Sequence, residues 1–199
     1  MTGDNGYLAE NRVNDKKQED NMAKTVGFIG SGNMGRAIMG GMIAAGLYTP
    51  SQILASARTK ETVEKIEKEL GIAATTDNAT VAKKADILFL AVKPGVFATV
   101  IPEIRDCCKE GQIVVSIAAG QTLTSITEMF GHEIKLVRAM PNTPALVGEA
   151  MSAVTPNNHV GEEEIQEVMA IFESFGKAEI VPETMMDAVI GVSGSSPAY

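Results

Sequence analysis

The sequence predicts an α/β protein built on a doubly wound, mostly parallel sheet of about eight strands. Three observations predict it. From Lys24 onward, short apolar runs alternate with amphipathic stretches. One run, Ile87-Leu88-Phe89-Leu90-Ala91-Val92, is apolar throughout with no alternation, as in strands covered on both faces. A glycine cluster, Gly30 to Gly35, lies between the first apolar run and the first amphipathic stretch.

Each element has its own signal. Val26-Gly27-Phe28-Ile29 is the first strand. Met34, Ala37, Ile38, Gly41, Met42 and Ala45 then recur at helical spacing, and Gly46 is placed to end that helix. Ile53 to Ser56 is a second strand; Val63, Ile66 and Leu70 mark a helix closed by Gly71. Ala73 to Thr75 is a weak third strand, and Asp77 is the N-cap of a short helix over 78–84. Ile87 to Val92 is the fourth strand, and Phe97, Ile101, Ile104 and Cys108 trace the next helix stripe. Ile113 to Ile117 is strand five. Leu123, Ile126 and Phe130 trace a helix in which Ser125 and Glu128 have capping-box spacing. Lys135 to Met140 is strand six.

After strand six the rhythm changes. Pro141-Asn142-Thr143-Pro144 reads as a rigid loop, and Ala150 to Val154 as a strand. The helix over 162–175 opens with three glutamates that suit its positive end. Ala178 to Val181 is the last strand, and these late strands extend the sheet at one edge. Gly191 to Tyr199 reads as a loop leading into a helix, with Ser196 as N-cap and Pro197 in the first turn. The expected division is a disordered or added tail over 1–21, one α/β unit over 22–190, and over 191–199 the start of a second unit that stops at its border.

Composition excludes several classes. The hydrophobic share of 45% is that of an ordinary globular core. A net charge of −8 without a Lys/Arg cluster argues against a general nucleic-acid binder. No apolar run reaches the ~18 residues of a membrane span, and residues 1–21 lack the apolar centre of a secretion signal. The two cysteines, Cys107 and Cys108, are adjacent; they would bridge only with strain and fit no metal or redox motif. That usage fits a reducing, cytoplasmic setting. His132 and His159 fall in polar turns and carry no catalytic pattern, and Glu162-Glu163-Glu164 reads as a solvated helix start rather than a metal site.

The chemistry concentrates in the glycine cluster. Gly30-Ser31-Gly32-Asn33-Met34-Gly35 fits G-x-G-x-x-G, and it follows a strand and opens a helix, the context that motif needs. The first glycine permits a tight turn, the second lets a pyrophosphate approach, and the third lets helix and strand pack closely. The helix N-terminus offers free N–H groups to the anion. This is the pattern of a Rossmann dinucleotide-binding unit. NAD-binding versions usually place a carboxylate at the end of strand two to hold the ribose hydroxyls. Here that stretch reads Ser56-Ala57-Arg58-Thr59-Lys60, with cations and hydroxyls in its place. Arg58 suits a 2′-phosphate, so NADPH is expected over NADH. Lys93 follows strand four at the carboxyl edge of the sheet, where it can meet ribose or phosphate.

Taken together, the segments resemble pyrroline-5-carboxylate reductase. The matching residues are Val26 to Gly35, then Phe89-Leu90-Ala91-Val92-Lys93-Pro94, then Arg138-Ala139-Met140-Pro141-Asn142-Thr143-Pro144, then Gly191-Val192-Ser193-Gly194-Ser195-Ser196-Pro197-Ala198-Tyr199. The first motif is shared with many dehydrogenases, whereas the last two are far more specific. The resemblance implies reduction of the ring C=N of 1-pyrroline-5-carboxylate by NAD(P)H, giving L-proline. It implies that Asn78 and the segment Ala91, Val92 and Lys93 line the cofactor ribose. Ala118 and Ala119 would border the nicotinamide, and Asn142 and Thr143 would floor the reacting ring. It also implies a helical C-terminal domain that makes a homo-oligomer and holds the substrate carboxylate. The present sequence would stop at the start of that domain, so no catalytic residue is assigned.

Three rivals share parts of this pattern. Other reductases of the same architecture, a β-hydroxyacid dehydrogenase or an F420-dependent NADP reductase, lack the Met140-to-Pro144 and Ser193-to-Tyr199 segments together. A module that binds the dinucleotide without turnover would show binding but no imine-dependent oxidation. A methyltransferase would keep an acidic residue where Arg58 stands.

Overall fold

The computed structural model describes residues 24–194. The tail over 1–21 and the helix start at Ser196 and Pro197 lie outside the described residues. Eight strands form one sheet: β1 (Val26–Ile29), β2 (Ile53–Ser56), β3 (Ala73–Thr75), β4 (Ile87–Leu90), β5 (Ile113–Ser116), β6 (Lys135–Met140), β7 (Ala150–Pro156) and β8 (Gly176–Ile180). The helices are α1 (Asn33–Ala44), α2 (Lys60–Leu70), α3 (Asn78–Lys84), α4 (Phe97–Ile104), α5 (Leu123–Phe130), α6 (Glu162–Glu173) and α7 (Met186–Val189).

The strand order is β3-β2-β1-β4-β5-β6-β7-β8. All pairs are parallel except β6 with β7. Parallel neighbours need a crossover between them, and the helices supply it, covering both faces. This is the doubly wound, mostly parallel sheet that the alternation of runs predicts. The late strands do extend one edge.

The unbroken apolar run of β4 explains the two-sided core. Ile87 and Phe89 point into a layer with Phe28, Ile38, Met42, Ile66 and Phe172, under α1, α2 and α6. Leu88 and Leu90 point into a second layer with Val81, Phe97, Ile101, Ile126 and Phe130, under α3, α4 and α5. At the sheet's margins the pattern relaxes. β3 is three residues long, and β8 exposes Lys177 and Glu179.

Several boundaries differ from the sequence reading. β4 ends at Leu90, not Val92. The chain bends at Val92, beside the glycine turn, and Pro94 then starts a 3-10 turn over Pro94–Val96. β5 stops at Ser116 rather than Ile117. Cys108 is not on the helix stripe: α4 tightens into a 3-10 turn over Arg105–Cys107 and Cys108 is extended. Burial pushes the Cys108 thiol up to about 11, with the neighbouring Cys107 adding to it. The capping box of α5 is Thr122 with Ser125, not Ser125 with Glu128. The Thr122 hydroxyl accepts from the Ser125 N–H and the Ser125 hydroxyl from the Thr122 N–H, both at 3.0 Å. The helix over 162–175 ends at Glu173, β7 runs on to Pro156, and β8 begins at Gly176. Within the proline-rich loop, Thr143–Val147 forms a 3-10 turn. Residues Gly191 to Gly194, read as a loop from their composition, are wound into a π-helical turn, Ile190–Gly194, that continues α7. Buried Met186 anchors that helix, and tertiary contact overrides the glycine and serine preference.

Phe89 lies at the centre of the first layer. It is fully buried, stacks on Phe28 with centroids 4.6 Å apart and meets Phe172 at 6.1 Å. Phe89→Ala is expected to cost about 3–5 kcal/mol, because a central strand cannot collapse into the cavity. Urea unfolding of the variant checks it; a loss below about 1 kcal/mol would contradict this picture of the core.

Candidate dinucleotide-binding site

The site forms where β1 ends. Gly30 leaves the strand at φ +93°, a conformation that favours glycine. A side chain there would also lie 2.6 Å from Val92 Cγ1 and 2.9 Å from the Ala91 carbonyl oxygen. Two strand exits, those of β1 and β4, thus cross in near contact. One helical turn later, a Cβ at Gly35 would lie 3.2 Å from the Gly30 oxygen and 3.4 Å from Ala91 Cβ. Gly32 differs from both. It is the N-cap of α1, and a Cβ added there would meet nothing within 4 Å. No side chain caps α1 and its first turn holds no acid. The turn is closed against the protein at Gly30 and Gly35 and open at Gly32, as a backbone cradle for an anion should be.

The side chains of Ser31 and Met34 turn into the protein, and Asn33 is held by Arg36. Ser31 is buried, and its hydroxyl donates to the Ser56 carbonyl at 3.1 Å. Asn33 is exposed, and its Oδ1 accepts from Arg36 at 3.0 Å. Met34 packs against the first core layer. Ser31 and Met34 can therefore offer the cradle only their backbones.

At the end of β2, Ser56 is almost fully buried. Its hydroxyl donates to Asn78 Oδ1 at 2.6 Å and accepts the Gly30 N–H at 3.3 Å. Asn78 Nδ2 donates to Glu103 Oε2 on α4 at 2.7 Å. Arg58 and Lys93 are exposed, and neither forms a salt bridge among the described residues. No carboxylate occupies the last turn of β2. Ala118 is buried and Ala119 exposed in the loop after β5.

Beyond β6, Asn142 is engaged inside the protein. Its Oδ1 accepts the Met151 N–H at 2.9 Å and its Nδ2 donates to Ser193 Oγ at 3.1 Å. It ties the exit of β6 to β7 and to the π-helical turn. Thr143 is exposed at the start of the 3-10 turn. The structure thus brings Gly30, Ser31, Ser56 and Asn78 into one hydrogen-bonded group and sets Ala91 and Val92 against Gly30. Beside α1, a cavity of about 520 Å³ opens between Asn33, Arg36 and Gly41 on one side and Leu146 and Val147 on the other.

Sequence reasoning missed two members of this edge. One is Glu103, which carries no pattern beyond an exposed helix position. The other is the pair of Arg138 and Glu183. Arg138 sits in β6, 4% exposed, and its guanidinium meets Glu183 at 3.1 Å and Asp187 at 3.6 Å. Glu183 Oε1 also accepts the Leu123 N–H at the start of α5, at 2.7 Å. A charged residue inside an apolar strand is the signal that could have found it, since a buried arginine needs a partner. The histidines lie elsewhere: His159 pairs with Glu133 at 2.8 Å, both exposed. Glu164, in the glutamate run, pairs with Lys135 and accepts the Gly161 N–H, so it serves as a helix cap.

Fold and glycine turn define the class: a Rossmann-type domain of the dinucleotide-binding kind. A family model described as "NADP oxidoreductase coenzyme F420-dependent" matches residues 25–120. The pyrroline-5-carboxylate reductase of Escherichia coli (strain K12) is 48% identical over 178 residues, 89% of this chain and 66% of that protein. Two solved structures align closely. The pyrroline-5-carboxylate reductase of Coxiella burnetii has a TM-score of 0.84 at 34% identity, covering 88% of this chain and 66% of that one. The pyrroline carboxylate reductase of Plasmodium falciparum, solved with NADP bound, has a TM-score of 0.81 at 30% identity, covering 89% and 65%. The chain belongs to the pyrroline-5-carboxylate reductase family. It spans just under two thirds, 66%, of the length of the E. coli relative. Among the described residues no helix is long and apolar enough to cross a membrane.

Removing Glu183 should expose the cost of a buried charge. With Glu183→Ala, Arg138 keeps only the exposed Asp187 at 3.6 Å, and α5 loses one N-terminal acceptor. Breaking a fully buried pair costs about 3–5 kcal/mol, and the partial exposure of Glu183 brings the expectation down to about 2 kcal/mol. Urea midpoints read it directly, and an unchanged midpoint would show Arg138 to be solvated.

Proposed function

We propose that this chain supplies the dinucleotide-binding part of a pyrroline-5-carboxylate reductase, reducing the ring C=N of 1-pyrroline-5-carboxylate to L-proline with NAD(P)H. The carrying observation is the glycine turn, sealed at Gly30 and Gly35 and open at Gly32, in a chain 48% identical to such a reductase. Ser31, Gly32 and Asn33 would receive the pyrophosphate through backbone N–H groups at the head of α1. Arg58 would take the 2′-phosphate, with NADPH preferred over NADH, and the buried Ser56, its hydroxyl engaged with Asn78 and Gly30, would serve the cofactor by fixing the turn. Asn78, Ala91, Val92 and Lys93 would line the ribose. Ala118 and Ala119 would set the depth of the nicotinamide, and Asn142 would act by holding Thr143 in place at the floor.

The bound nicotinamide supplies a hydride. A protonated imine is already electrophilic, so the chain's main task is to hold the two rings in a reactive pose and exclude water. This fits an edge at which no acid–base pair stands out. The substrate carboxylate would be held by a helical domain of the parent protein, which would also make the homo-oligomer. We place the enzyme in the cytoplasm.

The test is NADPH oxidation with pyrroline-5-carboxylate, run on this chain and on a version extended to the relatives' length. Both should bind NADPH, and the extended version should turn over far faster. An extended protein that binds NADPH yet shows no imine-dependent oxidation would favour a binding module instead.

Two substitutions probe the cofactor contacts. Gly32→Val should abolish NADPH binding in calorimetric titration while leaving the fold intact, since the side chain enters only the space left for pyrophosphate. Unchanged affinity in the folded variant would remove the site from this turn. Arg58→Asp should shift the NADPH/NADH affinity ratio at least about tenfold towards NADH, the loss of one charge-assisted hydrogen bond. If the ratio stays put, the 2′-phosphate is held elsewhere.

A further inference from the structure

We propose that Glu103 is a positioning residue for dinucleotide binding, acting on the glycine turn through Asn78 and Ser56. The inference rests on the dinucleotide reading above and names a residue outside the cradle that sets its geometry. Four groups form the chain. Glu103 Oε2 accepts from Asn78 Nδ2 at 2.7 Å. Asn78 Oδ1 accepts from Ser56 Oγ at 2.6 Å. Ser56 Oγ accepts the Gly30 N–H at 3.3 Å. The Ser56 carbonyl accepts the Ser31 hydroxyl at 3.1 Å, fixing the next residue of the turn to the same strand end.

The direction of every bond follows from one end. A carboxylate only accepts, so it draws the amide nitrogen of Asn78 towards itself and turns the amide oxygen to Ser56. A hydroxyl has one hydrogen. That hydrogen goes to Asn78 at 2.6 Å rather than to the Phe28 carbonyl at 3.4 Å. The lone pairs of Ser56 are then left to receive Gly30. Ser56 is 1% exposed and Ser31 8%, so water cannot replace these partners freely. Glu103 itself is exposed on α4, and its removal disturbs no core packing.

Without an acceptor at 103, the Asn78 amide is free to reverse. Its N–H group would then face Ser56, the Ser56 hydrogen would turn elsewhere, and the turn would lose its single fixed arrangement. The turn serves the pyrophosphate, which NADPH and NADH share. Loss of the relay should therefore weaken both dinucleotides by the same factor. A carboxylate that read the ribose directly would change their ratio instead.

The experiment titrates wild type, E103A and E103Q with NADPH and with NADH by calorimetry, with the folded fraction of each sample taken from its urea curve. E103A should lose about tenfold affinity for both dinucleotides alike, as expected if only about a tenth of the molecules then hold the turn in its binding arrangement. E103Q should recover most of that loss, because its amide oxygen can accept from Asn78. E103M, with a good helix former at the site, repeats the test if E103A folds poorly. A purely structural role would change the urea midpoint but not the affinity of the folded protein. Unchanged affinity in E103A and E103M overturns the proposal. So does a shifted NADPH/NADH ratio, which would make Glu103 a direct ribose contact, and so does E103Q as weak as E103A, which would make its charge the active property. A wild type that binds neither dinucleotide sinks the functional reading itself, and the relay with it.

Discussion

The near contact between the ends of β1 and β4 is the constraint on which the site depends. With Gly30 at φ +93° and Val92 and Ala91 packed where a side chain would go, the turn has one path out of the sheet. That path starts α1 directly over the strand ends, and Gly35 lets the helix lie low enough to bury Ile38, Met39 and Met42. The same helix therefore closes one core layer and presents its N-terminus at the carboxyl edge. Core packing and the glycine turn at the head of α1 share one backbone geometry, and a bulky residue at Gly30 would disturb both.

Polar side chains are buried at this edge with defined partners. Ser31, Ser56, Arg138 and Asn142 are each at most 9% exposed, and each binds a segment distant in sequence. Desolvated polar groups cost stability unless bonded, so each bond also selects one arrangement of the loops it joins. Ser56 ties the glycine turn to α3, and Arg138 ties β6 to Glu183 and through it to α5. Asn142 ties the β6 exit to the turn at Ser193. Loops that carry a site are usually its most mobile parts; here buried side-chain bonds hold several of them.

Much of this was legible in the sequence because it follows from local rules. The run at Ile87 to Leu90 gave a two-faced strand, Gly71 and Asp77 gave a helix stop and start, and Gly30 to Gly35 gave the tight turn between strand and helix. The strand reading ran on through Val92 because apolar character does not reveal where a chain bends; Pro94 was the better marker. Residues Gly191 to Gly194 looked like a loop because composition is blind to the buried Met186 that keeps the helix winding. The partners of Asn78 and Arg138 were not legible either. Glu103 lies 25 residues from Asn78 and Glu183 lies 45 from Arg138, so only the fold brings them together. The late strands were placed at one edge, but the reversal at β7 was not foreseen, since the loop over 141–149 carries no signature of direction.

The two margins of the sheet also decide how the molecule behaves at high concentration. An open strand edge is a template on which a second chain can add its own strand and seed aggregation. At one margin, β3 offers only three residues, too short a ladder for a foreign strand to hold. At the other, Lys177 and Glu179 stand out from β8, and an approaching strand would have to strip water from both charges. Shortness guards one side and charge the other against the addition of a foreign strand.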